Sequence, residues 1–93
     1  MAEIATLPRT PKERAQKATF IQTTLDANKL SKVWLMHQLL IKEGFKIQPQ
    51  TVTSVMSGAL VSPKGDEFLM RAERICKDYK YRQSLNISPQ SEI

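Results

Sequence analysis

The sequence predicts an all-α protein, a compact bundle of four to five short helices. Apolar residues recur at spacings of three and four, the period of a helix with one buried face. Hydroxyl residues, prolines and glycines punctuate these stretches where helices start and stop. Almost no alternating pattern of the kind a strand requires remains between them.

Thr10, Pro11, Lys12 and Glu13 form the first helix start. They supply a hydroxyl N-cap, a proline at the first helical position and a glutamate placed for a capping box. The helix is expected to reach about Ala27, with Ala18, Ile21 and Leu25 on one face and Ala15 and Phe20 beside them. Arg14, Lys17, Gln22 and Asp26 fall elsewhere, and Asn28 and Lys29 supply the exit. Ser31 caps a second helix whose inward stripe is Leu35, Met36, Leu39 and Leu40, with Lys32 and His37 more exposed. Gly44 is placed to end it, because glycine takes the left-handed conformation without steric cost.

The third helix starts at Gln48 and Pro49, buries Val52, Val55 and Met56, and closes at Gly58. Threonine and valine are mediocre helix formers, so this helix depends on packing for its order. Ala59 to Pro63 reads as a loop. A fourth helix is expected to begin between Lys64 and Asp66, with Asp66 and Glu67 favourable at its positive end. Phe68, Leu69, Ala72, Ile75, Cys76 and Tyr79 then repeat at helical spacing. The expected organisation is one domain over residues 10–81 between flexible tails, 1–9 and 82–93.

A chain of 93 residues has room for one domain with a modest core. Its net charge of +5 and isoelectric point near 9.6 favour a polyanionic partner, nucleic acid or an anionic membrane surface. The longest apolar runs, such as Leu39 to Ile41, fall far short of the ~20 residues that span a bilayer. The face of the first helix is short and alanine-rich, a poor membrane anchor. The start of the chain, with Glu3 and no long apolar stretch, does not read as a secretory signal. Cys76 is the single cysteine, which excludes an internal disulfide and suits a reducing, cytoplasmic setting.

The stretch Leu30 to Gly58 carries the functional reading. Val52 and Val55 hold the third helix on the core and leave Gln50, Thr51, Thr53 and Ser54 available to a groove. Leu30, Ser31, Leu35, Met36 and Leu39 resemble the first motif helix of the lambda-repressor-like helix-turn-helix family, which includes phage repressors and Cro proteins. Ile47 to Gly58 is similar to that family's second motif helix. The resemblance implies a four- or five-helix bundle containing a helix-turn-helix, binding operator DNA as a two-fold dimer. It carries base contacts to Gln50 and Ser54, and further to Gln48 and Thr51, since a major groove admits the start of such a helix.

The same resemblance assigns phosphate contacts to Lys32, Ser57 and Lys64, which set register without reading sequence. Lys46 joins them because the turn places it just before the third helix. Two departures stand out. Pro49 replaces a residue that is often polar and has no amide to donate, and Leu40 through Lys46 lengthen the turn. A similar lengthened pattern, with a tryptophan and leucine as at Trp34 and Leu35, occurs in small regulators of prophages and mobile elements.

Trp34 reads as a packing or dimer-contact residue. His37 has no second histidine or cysteine at ligand spacing, and Cys76 fits an apolar stripe as a structural thiol. No catalytic pair and no phosphate-cradling glycine loop emerges. The expectation is a non-enzymatic, cofactor-free and metal-free regulator of transcription that binds double-stranded DNA sequence-specifically. Repression at an operator is expected over activation, because occlusion needs only a bound protein. A homodimer is expected, with the fourth helix, Trp34 and the segment Tyr81 to Ile87 as candidate surfaces. The alternative is a protein-interaction module on the same scaffold, an anti-repressor or regulatory partner.

Overall fold

Hydroxyl side chains set the first turn of three helices in the computed structural model, which describes residues 6–85 and the side chains of residues 6–80. In α1 (Pro11–Ala27) the Glu13 amide donates to Thr10 Oγ1 at 3.1 Å. In α2 (Lys32–Glu43) the Trp34 amide donates to Ser31 Oγ at 3.0 Å. In α4 (Pro63–Leu85) the Gly65 amide donates to Ser62 Oγ, again at 3.0 Å. Each bond satisfies one amide that has no partner inside its helix. The remaining helix, α3 (Pro49–Ser57), follows Gln48 and has no side-chain cap. The described residues hold these four helices and no strand.

Two glycines end helices as expected. Gly44 after α2 and Gly58 after α3 adopt φ of +64° and +85°, the left-handed region that costs an L side chain energy. Lys29, after α1, holds φ +57° without being glycine. Some expectations are corrected. α4 begins at Pro63 rather than between Lys64 and Asp66, because Ser62 and Pro63 supply a hydroxyl cap and a first-turn proline. It then runs past Tyr81 to Leu85. The Glu13 carboxylate accepts from the Arg9 amide at 2.7 Å and not from its own N-cap, so only half of the capping box forms. Residues 1–5 and 86–93, which belong to the expected tails, lie outside the described residues.

α4 is the element against which α1, α2 and α3 all pack. Phe68, the largest fully buried side chain, sits in a core with Ile21, Leu25, Leu35, Leu39 and Val52. A side chain of that kind contributes roughly 1.5–3 kcal/mol by leaving water. Met36 and Met56 pack on the core only in part, and Leu40, expected inward, is exposed. One residue beyond Leu39 the helix has turned about 100°, which carries the side chain off the buried stripe. The core is rimmed by ion pairs onto α4, with Arg14 to Asp66 at 2.9 Å and Lys17 to Glu73 at 2.5 Å from α1. From the end of α2, Glu43 meets Arg71 at 2.6 Å and Arg74 at 2.8 Å.

Most of the lengthened connection between α2 and α3 is taken up by the last turn of α2, which continues to Glu43. Gly44 to Gln48 then form the link, and buried Ile47 pins it to the core.

Candidate nucleic-acid interface

Val52 and Val55 are buried and three residues apart, and this fixes the rotation of α3 about its axis. The opposite side carries Gln50, Thr53 and Ser57, all exposed, with half-buried Ser54 at its edge. Thr51 is half-buried on the flank, and Gln48 is exposed ahead of the first turn. The helix contains no charged residue. Its outward side is therefore an array of one amide and several hydroxyls. Ser57 Oγ donates to the Ser54 carbonyl at 3.1 Å and accepts from the Ala59 amide at 3.4 Å, so this hydroxyl is held within the turn that closes α3.

At the start of α3, the Gln50 and Thr51 amides have no side-chain cap, and Gln48 and Gln50 around them are exposed. Uncapped amides at the positive end of a helix favour an anion.

The cations expected near this helix fall in different places. Lys46 is exposed, just ahead of α3, and forms no ion pair within the described structure. Lys32, half-buried, lines a groove of about 490 Å³ between α1 and the end of α3, together with Thr53, Ser57, Leu60 and Val61. The structure thus brings Lys32, Thr53 and Ser57 to one depression, while Gln48, Gln50 and Lys46 sit toward the other end of the helix. Lys64 turns onto the Phe45 ring, 5.9 Å from its centroid, where Arg71 also approaches at 5.2 Å. Such a contact leaves part of the ammonium open to another partner.

The electrostatic setting of α3 is readable in the sequence. Between Asp26 and Asp66 the only acid is Glu43, whereas Lys29, Lys32, Lys42, Lys46 and Lys64 fall in that stretch. Burial pushes the Glu43 carboxyl up, but hydrogen bonds from Arg74 and Arg71 and their positive charge outweigh it. The net effect holds its pKa below the usual carboxylate range. Glu43 therefore remains ionised with two cations bound to it.

No family model, curated protein or solved structure matches the chain. The remaining reactive side chains are placed as follows. His37 is exposed on α2. Cys76 is fully buried, and burial with the nearby Glu73 charge pushes its thiol up to about 12, so it is a poor nucleophile at neutral pH. Among the described residues, no three His, Cys, Asp or Glu side chains gather as a group that could hold a metal ion. No described helix is long and apolar enough to cross a membrane.

Proposed function

We propose that this protein is a sequence-specific double-stranded DNA-binding regulator of the helix-turn-helix, lambda-repressor-like kind, acting without enzymatic chemistry. α3 enters the major groove, and Gln50, with Thr53 and Ser54, reads base edges. Gln48 and Thr51 contribute from its first turn. A glutamine amide can pair bidentately with adenine, a contact worth about 1–3 kcal/mol of discrimination. Lys32, Lys46, Ser57 and Lys64 hold phosphates and fix the register. A homodimer on a two-fold operator, in the cytoplasm, represses by occlusion, and the phage-related resemblance agrees with that role.

One observation carries this reading. The uncharged polar side of α3 faces away from the core, in a stretch where lysines outnumber acids and Glu43, the only acid, is bound by two arginines. The test is selection of duplexes from a random pool, followed by fluorescence anisotropy across a salt series. Affinity is expected to fall steeply with salt, with a log–log slope of about −0.9 for each phosphate contacted. Failure to enrich any duplex, at low salt as well as high, would overturn it.

A second reading, a protein-interaction module, is favoured by the groove between α1 and α3. Met56, Leu60 and Val61 give that groove an apolar wall, which suits a partner's side chain better than a phosphate. Charge reversal at Lys46 would leave such an interaction intact while weakening the binding of every duplex.

A further inference from the structure

In the groove between α1 and the end of α3, an unpaired cation meets an apolar wall. The α1 side runs from Pro11 through Ala15 and Ala18 to Gln22, positions that recur at intervals of three and four on one face. At 1.5 Å per residue that face is about 16 Å long. The small side chains of Ala15 and Ala18 leave the space open, and Met56, Leu60, Val61 and Leu69 complete its apolar lining. The volume of about 490 Å³ falls within the roughly 300–1,000 Å³ of sites that enclose small molecules.

The charge in this groove is one-sided. None of the described residues that line it is acidic, and two are cations, Arg14 and Lys32. Arg14 is bound to Asp66 at 2.9 Å. The Lys32 ammonium, on a half-buried side chain, has no ion pair or hydrogen bond among the described residues. Asp26, one turn beyond the groove on α1, accepts from the Gln22 amide at 2.9 Å and not from Lys32. A lysine so placed lays its stem on apolar surface and keeps its head available. The lining therefore complements a hydrocarbon body that carries one negative charge.

We propose that this groove binds a small apolar acid, such as an aromatic carboxylate, with the carboxylate on Lys32 and the ring between α1 and the end of α3. Lys32, Thr53 and Ser57 border the same space, and all three belong to the surface assigned above to DNA. The acid and a duplex therefore exclude one another, and each weakens the other by the same factor. The exclusion rests on the DNA reading, but the site does not.

Titration of the full chain with 2-naphthoate, and with its uncharged analogue 2-naphthalenemethanol, tests the site by NMR of the backbone amides. The expected result is saturable binding of 2-naphthoate with a Kd below about one millimolar. The shifts should centre on residues 14–22 and 53–61, which hold the lining of α1 and of the end of α3. Lys32→Met keeps the apolar stem, so it should weaken 2-naphthoate by at least about threefold and leave 2-naphthalenemethanol unchanged. Ala15→Phe, at an exposed position, should fill the groove and weaken both ligands by at least about tenfold. Circular dichroism confirms that both variants fold.

The site is overturned by a titration with 2-naphthoate that does not saturate by about ten millimolar, which leaves the groove to a partner's side chain. It is also overturned by shifts centred elsewhere, by K32M affecting the two ligands alike, or by A15F binding as the unaltered chain does. Anisotropy on the selected duplex, repeated with saturating 2-naphthoate, should show affinity reduced by at least about threefold in the unaltered chain and unchanged in A15F. Unchanged affinity in both overturns the exclusion. Binding of 2-naphthoate by a chain that selects no duplex overturns the DNA reading alone.

Discussion

Gly65 on α4 and Val55 on α3 approach so closely that a methyl group on Gly65 would lie 2.9 Å from Val55 Cγ2. Val55 is β-branched and buried, so it has little freedom to move aside. The glycine lets the candidate recognition helix sit directly on the helix that carries the core. Gly65→Ala should destabilise the fold by about 1 kcal/mol, the clash exceeding the gain in helix propensity. Gly65→Ala with Val55→Ala should show positive coupling in a denaturant double-mutant cycle. Additive losses would mean that the two residues do not set the α3 to α4 distance.

Gln50 and Lys46 should separate reading from holding. Gln50→Ala should flatten preference at one or two base pairs, costing roughly 1–3 kcal/mol on the best site and little on others. Lys46→Ala should weaken all duplexes alike and reduce the salt slope by about one contact. Competition binding across a panel of single-base operator variants distinguishes the two patterns.

Glu43 ties α2 to α4 through Arg71 and Arg74, and its carboxyl is held below its ordinary pKa of 4.5. A depressed folded-state value means the stabilisation is present in full above the unfolded value. It is lost as pH falls from 4.5 through the lower folded-state value. Glu43→Gln should cost ~1–2 kcal/mol near neutral pH, between the values for exposed and buried pairs. The cost should shrink in acid. Thermal midpoints of both proteins across that range should converge as pH falls.

Lys29 holds a left-handed backbone without being glycine. Lys29→Gly should stabilise the chain by about 0.5–1 kcal/mol, the relief of strain exceeding the added freedom of the unfolded chain. A fall in the urea midpoint would contradict this account of the turn after α1.

Cys76 should react with an alkylating reagent only when the fold opens, since the thiol is buried and pushed up to about 12. Labelling rates should follow unfolding across a denaturant series. Fast labelling in buffer alone would show a looser seam between α4 and the rest.

The starts at Thr10, Ser31 and Pro49 and the stops at Gly44 and Gly58 were legible because each signal lies within a few residues of the helix end it sets. Ser62 and Pro63 follow the same grammar as Thr10 and Pro11, yet an apolar loop before them drew Pro63 into the loop. Leu40 is exposed because α2 buries only the stripe of Leu35 and Leu39, whereas α4, packed by three helices, buries consecutive residues such as Phe68 and Leu69.

The ion pairs of Arg14 and Lys17 were beyond periodicity altogether, since they join positions 52 and 56 residues apart. At the candidate interface, the outward side of α3 followed from the phase of Val52 and Val55. That Lys32 shares a groove with Thr53 and Ser57 depends on how α1 and α3 are placed, and no local pattern encodes it.

Trp34 is the only tryptophan in the chain, and its ring meets that of Tyr79 edge-on, with centroids 5.4 Å apart. The molecule thereby carries a single indole, at a seam between two helices, whose emission is distinct from that of its two tyrosines. Its emission can be excited selectively and followed without attaching a dye. Separation of α2 from α4 would shift that emission, and so would the arrival of a neighbour beside it, which gives a single optical channel for watching both events in real time.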